Sequence, residues 1–575
     1  MKYLKLFLKE RKGKVAITLV MLLGQAIGTL LIPFLIANIV DNGILKGDIN
    51  EILRIGVQMI IVLILTTIVS ILGSYYSADL AAVFGYDMRD KVFRKSQELS
   101  IREFDTIGVS SMITRTTSDI SNLQQTLGLV FQMIVPTPLI ILASIVMTSY
   151  ASLPLSLILI LCVVIFICFS IVVLKKSNYI SQRVQARLDN INQVVREAIT
   201  GIRVIRAFGN EKYEEGRSSK AFEKYATDMI KLNKLFAVLN PSVWIIIGLS
   251  MAAIVWLGGL LSMKGDMEIG QITAVTEYSI ITLSYLIMAT TTSVTLPKMK
   301  ACLNRIEEVL DINPEIQDLS KEQVGVQSNA PVVEFKNVSF FYHGAEEPVI
   351  KNLSFSCNKG QTTAVIGSTG SGKSTIFNLL LRLHDIDEGE INLCGEDIRS
   401  LSQEELRDRI GCIPQKAFLF SGTIEDNLKM GYKDATKEDM KRALMISQAD
   451  SFVDKLPDGL HSEVSQGGSN FSGGQKQRLA IARALIKKVS VYIFDDSFSA
   501  LDSKTDSELR KALKENMKDA AKIIIAQKVS TIMDADQILV MDEGKLVGIG
   551  NHDTLMKNCS VYQDIAKSQM NIKEA

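Results

Sequence analysis

The first half of the chain reads as long apolar runs separated by polar stretches. The second half reads as short apolar runs at strand and helix spacing. The long runs lie near Val15–Val40, Ile55–Tyr76, Leu127–Tyr150, Leu153–Leu174, Leu235–Leu261 and Ile269–Val294. Each has about 20 residues or more, enough for a helix to cross a hydrocarbon core about 30 Å thick. The pattern predicts six transmembrane helices. Leu153–Leu174 holds no charge, whereas Ile269–Val294 carries several Thr and Ser and one Glu. Short loops join the first run to the second, the third to the fourth and the fifth to the sixth. The other two connections, Ser77–Thr126 and Lys175–Lys234, are long and predicted to be helical. Helices should therefore continue well past the bilayer on one side.

The charges say which side. Arg89, Lys91, Arg94 and Lys95 lie in one long connection, and Arg183, Arg187, Arg196, Arg203 and Arg206 in the other. The short loops are nearly free of basic residues, Lys46 and Lys264 excepted. The positive-inside rule places the long connections and both termini in the cytoplasm, in a multi-pass protein of the plasma (inner) membrane. The N-terminus, with Lys2, Lys5, Lys9, Arg11, Lys12 and Lys14 among Leu and Phe, predicts an amphipathic helix lying on the inner leaflet. The apolar run behind it is too long for a signal peptide. Within the spans, Gln25, Asn38, Gln58, Gln132 and Glu277 are candidates to line a path or to join helices by hydrogen bonds. Pro33, Pro136, Pro138 and Pro241 are expected to kink their helices.

After Val294 the apolar signal fades. The pattern divides the chain into a membrane domain, 1–310, a polar linker, 311–330, and a second domain, 331–575. Val332–Phe335 and Val338–Tyr342 read as two strands. From Gly360 on, strands and helices alternate as in a parallel α/β core. The predicted fold is a six-helix membrane domain with long intracellular extensions, followed by an α/β P-loop domain.

Composition agrees with this division. The chain has 575 residues, too many for one domain, with 47% hydrophobic residues and a net charge of +1. The mean hydropathy of +0.21 is high for a soluble protein. No basic run interleaves with aromatics, so nucleic acid is not an expected partner. Seven cysteines, an odd number, fit a reduced compartment and small buried hydrophobes better than a disulfide framework.

The chemistry is concentrated in the second domain. Gly367-Ser368-Thr369-Gly370-Ser371-Gly372-Lys373-Ser374-Thr375 fits G-x-x-x-x-G-K-[ST], the phosphate-binding P-loop. Glycines let successive N–H groups turn inward into a concave anion site. Lys373 would reach the β- and γ-phosphates of ATP, and Ser374 would hold Mg²⁺. A predicted strand, Thr362–Ile366, precedes the loop and a predicted helix, Ser374–Arg382, follows it. A second apolar strand, Val491–Asp495, ends in a carboxylate placed to hold Mg²⁺ through water, and Asp496 follows where a water-activating carboxylate would sit.

With the P-loop, the run Gly467 to Arg478 makes the chain resemble an ABC transporter. Phe471-Ser472-Gly473-Gly474-Gln475 is similar to the family's L-S-G-G-Q signature, with Phe in place of Leu. The resemblance spans the whole chain. It implies that Tyr342 stacks on adenine. It implies that Gln415 is the Q-loop residue, sensing Mg²⁺ and touching the membrane domain. Ser499-Ala500-Leu501-Asp502 matches the D-loop, and Gly201–Gly209 and Phe104-Asp105-Thr106 resemble the coupling-helix regions of exporters. It also implies a partner, since in the family the signature closes over ATP held by a second nucleotide-binding domain. Fusion of the membrane and nucleotide domains, membrane half first, points to an exporter and not an importer.

Besides Phe471, further positions depart from the family pattern. Asp496 stands where active members have Glu; the carboxylate is one methylene shorter, roughly 1.5 Å, and such a misplacement can cost on the order of 10²-fold in rate. Ala526-Gln527-Lys528-Val529-Ser530-Thr531 stands for A-H-R-x-S-T, and Gln527 cannot carry a proton or positive charge as the switch His does. Gln466 replaces an acidic residue common just before the signature. The catalytic positions Asp496 and Gln527 are thus both altered, while the binding residues and the signature are intact. The chain resembles the degenerate-site subunit of a heterodimeric multidrug exporter. Its expected substrate is a small amphipathic molecule: a drug, a lipid or a peptide. No N-terminal segment resembles a peptidase domain, which weighs against a peptide-processing exporter. A homodimeric exporter with slow hydrolysis and an ATP-gated regulatory or channel-like protein are the alternatives.

Overall fold

The computed structural model describes residues 2–318 and 330–570. The chain divides into two compact units, one of Met1–Glu98 with Ile107–Asn313 and one of Leu99–Thr106 with Pro314–Ala575. Much of the expected linker, 319–329, lies outside the described residues.

The first unit is helical. Six helical stretches are long and apolar enough to cross a membrane: Lys12–Ile44, Ile49–Glu98, Val109–Ala151, Leu153–Thr200, Pro241–Met263 and Ile269–Leu310. Five of them contain the apolar runs read from the sequence and outlast them; the fifth run, Leu235–Leu261, begins before Pro241 and lies within the longer helix Glu211–Met263. Ile49–Glu98 is one helix of 50 residues, about 75 Å at 1.5 Å per residue. The two helices flanking the second long connection, Leu153–Thr200 and Glu211–Met263, have 48 and 53 residues. Exposed Leu, Ile and Val cover the apolar windows of these helices, as a lipid-facing surface requires.

One expectation for this unit needs correction. The N-terminal helix Lys2–Glu10 does not offer its apolar face to lipid alone. Leu4 and Phe7 are buried, and Phe7 packs edge-on against Phe84 at 5.1 Å. Of the basic residues there, Lys2 finds Asp311 at 3.0 Å and the neighbouring Arg11 finds Asp87 at 3.2 Å. For Pro136, the irregularity inside the helical stretch Val109–Ala151 is a π-helical turn, Val130–Ile134, just before it. Pro33 and Pro241 do lie inside helices.

Polar residues in this unit mostly tie helices together. Asp41 accepts from the Gly270 N–H at 2.6 Å where the last spanning helix begins, and the Ser250 and Ser279 hydroxyls meet at 2.7 Å. Gln132 lines a cleft of about 440 Å³ with Gln124, Gln125 and Ser121. Glu277 is half buried. Deeper in the helical extensions, Asp119 accepts two hydrogen bonds from Arg305, 2.8 Å from Nε and 2.6 Å from a terminal nitrogen. Arg115 donates to the Arg305 carbonyl at 2.8 Å and pairs with Glu308 at 2.8 Å.

Among the described residues the second unit holds twelve strands: β1 (Val333–Phe340), β2 (Ile350–Cys357), β3 (Thr362–Gly367), β4 (Glu388–Leu393), β5 (Glu396–Asp397), β6 (Ile410–Ile413), β7 (Gly422–Thr423), β8 (Glu463–Val464), β9 (Val491–Asp495), β10 (Ala521–Ile525), β11 (Gln537–Asp542) and β12 (Lys545–Gly550). The two strands expected at 332–342 are one strand, β1, whose register against β2 shifts twice between Phe335 and Phe340. That irregularity makes the sequence read as two strands. A four-stranded sheet runs β2-β1-β4-β5 and a six-stranded sheet runs β12-β11-β3-β10-β9-β6. In the larger sheet β11, β3, β10, β9 and β6 are parallel. Both faces are covered: Ala364 and Ile366 point into one apolar cluster, Val365 into the other. This explains the continuous apolar runs of these strands.

The Asp119–Arg305 pair gives a directional prediction. Asp119 is 3% exposed and the Arg305 side chain 46%. Arg305→Ala strands a buried carboxylate, and breaking a buried pair from that side costs about 3–5 kcal/mol. Asp119→Ala leaves a guanidinium that water already reaches, and should cost about 1 kcal/mol. Thermal unfolding in nanodiscs should therefore show a larger fall in Tm for Arg305→Ala. Equal falls would mean that the charge on Asp119 is not what the pair protects.

Candidate nucleotide-binding site

The P-loop follows from the end of β3. At Gly367 an added Cβ would collide with the Met541 carbonyl of the neighbouring β11. Gly372 has φ +93°, and a Cβ there would lie 2.7 Å from Ile350 Cδ1 and 2.9 Å from the Val349 carbonyl. Gly367 needs glycine for room, and Gly372 for both backbone shape and room. Gly370, at φ +84°, faces open space, with nothing within 4 Å of where a Cβ would stand. Ser368 and Thr369 are exposed beside it, while Ser371 and Gly372 are buried beneath. The loop is thus closed behind and open in front. The helix Lys373–Leu380 starts at its base and aims its first N–H groups at that opening.

Lys373 folds back over the loop. Its ammonium donates to the Ser368 carbonyl at 2.6 Å and the Gly367 carbonyl at 2.9 Å. Burial holds it below the usual lysine range, against the pull of Asp496 and Asp495. Asp495, at the end of β9, is buried and accepts from Ser374 Oγ at 3.2 Å. Burial lifts its carboxyl above the usual carboxylate range; the Ser374 hydrogen bond and Lys373 oppose that and Asp496 adds to it. Burial therefore disfavours the charged form of both groups. An anion at the loop would complete Lys373, and a hard cation with oxygen ligands would complete Asp495 and Ser374. A triphosphate with Mg²⁺ fits both needs at once.

Tyr342 lies just beyond β1, partly exposed, with its hydroxyl 3.3 Å from Thr375 Oγ1 in the P-loop helix. His384 meets the Tyr342 ring edge-on at 5.4 Å, and Phe340 lies 5.5 Å from it. Sequence reasoning missed His384, because the contact depends on where the helix ends and leaves no local pattern. Ser100, Ile101, Arg102, Asp105 and Thr106 line one cleft together with Tyr342, His384 and Asp385. The short helix Ile101–Ile107 is anchored there through Arg102 on Glu315 at 3.0 Å. It contains Phe104-Asp105-Thr106.

The two altered positions meet. Asp496 Oδ2 accepts from Gln527 Nε2 at 3.1 Å and from Gln415 Nε2 at 3.3 Å. Two neutral amides thus hold one carboxylate, and neither can give or take a proton at neutral pH. The Asp496 backbone is left-handed, at φ +45°, a conformation Asp tolerates better than most residues.

The signature lies apart from these groups. Ser472 caps the helix Gly473–Leu485, accepting from the Gln475 N–H at 3.3 Å, while its own N–H donates to Gln475 Oε1 at 2.9 Å. Phe471 is buried and packs towards Phe452. Ser472 and Gly473 are exposed, and nothing lies within 4 Å of a Cβ at Gly473. Asp502 caps the helix Ser503–Asn516 through the Thr505 N–H at 3.0 Å. Among the described residues no hydrogen bond joins the signature to the P-loop, Asp495 or Asp496. The chain brings Tyr342, the P-loop, Gln415, Asp495, Asp496 and Gln527 together, and leaves the signature as a second, outward-facing helix start.

Comparison with known proteins agrees with this layout. Residues 15–286 match the family model for the ABC transporter transmembrane region and residues 350–499 the model for the ABC transporter. An uncharacterised ABC transporter ATP-binding protein of Mycobacterium tuberculosis is 35% identical over 98% of this chain and 97% of its own. The uncharacterised ABC transporter ATP-binding protein YfiB of Bacillus subtilis is 33% identical over 98% and 97%. The solved structure of a bacterial Atm1-family ABC exporter with ATP bound superposes with a TM-score of 0.81, at 26% identity, over 97% of this chain and 98% of that one.

The geometry of Lys373 sets a test of the site. A hydrogen bond to a charged group is worth about 1.5–3 kcal/mol, or about 10- to 100-fold in affinity. Lys373→Ala should weaken ATP binding by that factor with or without Mg²⁺. Asp495→Asn should weaken it only when Mg²⁺ is present. Titration of a fluorescent ATP analogue in both conditions checks this, and a Lys373→Ala protein that binds normally would remove the P-loop from the site.

Proposed function

The chain belongs to the ABC transporters, with the transmembrane region and the ATP-binding domain fused in one polypeptide, and on that footing we propose that it is one half of a heterodimeric exporter whose own site binds ATP but hydrolyses it slowly. The Asp496 carboxylate carries this reading. It is a short acid clasped by Gln415 and Gln527, where an active site needs a longer acid and a group able to hold a positive charge. Nothing on the binding side is missing. Tyr342 would stack on adenine, and Lys373 and the loop N–H groups would cradle the phosphates. Ser374, Asp495 and Gln415 would hold Mg²⁺. The exposed start of the signature helix at Ser472–Gly474 would complete the competent site of the partner.

Transport then follows from alternating access. Two ATPs close the nucleotide domains on each other, and the long helical extensions carry that closure into the membrane domain. Hydrolysis at the partner's site resets it. The cargo would be a small amphipathic molecule leaving the cytoplasm through the plasma membrane.

The deciding experiment is ATP turnover in lipid, for this chain alone and with the product of a neighbouring transporter gene. Negligible turnover alone, restored by the partner and lost when the partner's catalytic Glu is replaced, is the expected result. Turnover of about 1 s⁻¹ or more for the chain alone would make it a working homodimer. Within the complex, Ser472→Ala should damage turnover more than Asp496→Ala does, because it strikes the competent site. The double variant Asp496→Glu/Gln527→His should raise turnover at this chain's own site.

A further inference from the structure

The helix Ser560–Met570 ends in a residue that the nucleotide chemistry leaves unexplained. Tyr562 and Ala566 are buried, at 0% and 1% exposure. Both pack into the same apolar cluster as Phe494 and Ile524 of the central sheet. Tyr562 is fixed further by His552, whose Nδ1 lies 2.8 Å from the tyrosine hydroxyl. Positions 562, 566 and 569 follow the i, i+4, i+7 spacing of one helix face. The third of these is Gln569, a polar side chain on an otherwise apolar stripe.

Gln569 bonds to backbone at two points. Its Nε2 donates to the Gln527 carbonyl at 2.7 Å, and its Oε1 accepts from the Val529 N–H at 2.8 Å. Only one orientation of the amide satisfies both bonds, so donor and acceptor are fixed by the partners. The two backbone groups flank Lys528, inside the switch segment that follows β10. Gln527, held at its carbonyl, is the residue whose side chain reaches Asp496.

We propose that Gln569 is a positioning residue: it ties the helix Ser560–Met570 to the switch loop and so fixes where the side chain at 527 stands relative to Asp496. The inference rests on reading 527 as the switch position. A clamp on backbone is indifferent to which side chain occupies 527. It therefore serves the present Gln and would serve a His placed there. Leu at 569 would keep the apolar stripe and lose both hydrogen bonds. Glu would keep the acceptor for the Val529 N–H and set a second oxygen against the Gln527 carbonyl.

The test uses the intact transporter in lipid, with two readouts. The first is amide hydrogen exchange of the segment 526–531. Gln569→Leu should speed it by about tenfold or more, since the Val529 N–H loses its partner. Gln569→Glu should fall between wild type and Leu. The second is ATP turnover in the Asp496→Glu/Gln527→His background. There Gln569→Leu should lower kcat by about fivefold to tenfold and leave KM for ATP unchanged, as expected for a group displaced from its reacting position. Unchanged exchange overturns the clamp. Faster exchange with unchanged kcat overturns its positioning role, as does a joint collapse of kcat, KM and Tm. If the double variant gains no turnover over wild type, the reading of Asp496 and Gln527 as disabling fails, and the exchange result still decides the clamp. Gln569→Glu carries both readouts should the Leu variant not fold.

Discussion

The site in the second unit depends on one register. β10 pairs in parallel with β3 on one side and β9 on the other, so Ile525 lies opposite both Val365 and Asp495. The pairing continues beyond the strand ends, where the Asp496 N–H donates to the Ile525 carbonyl at 2.8 Å and the Ala526 N–H to the Val365 carbonyl at 3.1 Å. The P-loop, the Asp495–Asp496 pair and the switch segment all leave the sheet at this edge, where ligands of open α/β sheets bind. A slip of one residue would turn Asp495 to the opposite face of the sheet. Burial on both faces forbids that slip, because every apolar side chain of β3, β9 and β10 would exchange clusters. The precision of the site is therefore a by-product of the core.

Burial also sets the electrostatics. The core that fixes Lys373 and Asp495 also desolvates them, and that burial disfavours the charged form of each. Such a pair is poor material for stability. It suits a site that waits for a polyanion and its counter-cation, because binding supplies to each group the partner that folding withheld. The signature helix shows the opposite arrangement. Ser472 and Gln475 satisfy one another, and the first turn stays exposed. That surface is complete on its own side and needs only a partner to face it.

The sequence made most of this legible because the features are local. An apolar run of about 20 residues needs no tertiary knowledge to be read as a span, nor does a glycine pattern between strand and helix. Val491–Asp495 came out with the same ends in pattern and structure. What escaped depended on distant contacts. The irregular register of β1 comes from its pairing with β2. The buried side of the N-terminal helix depends on Phe84, remote in sequence. His384 and Gln569 are isolated polar residues whose meaning lies in what they meet. For Gln569 a signal was present, a polar residue in register with Tyr562 and Ala566, but the buried face had to be known before it could be read.

The alterations at 496 and 527 are coherent as a pair, which favours adaptation over drift. Asp496 occupies a left-handed backbone position, where a short side chain able to bond locally is comfortable. From there its carboxylate reaches two amide donors, neither of which can hand it a proton. A His at 527 would bring a titrating group to the same oxygen; Gln makes the contact at constant charge. If the site works as proposed, the arrangement would keep a geometry able to close on nucleotide and lack the proton-handling group that would empty it. On this reading a half-site has been adapted from chemistry to holding, and the transporter keeps two nucleotides to close on with one reaction to drive its reopening.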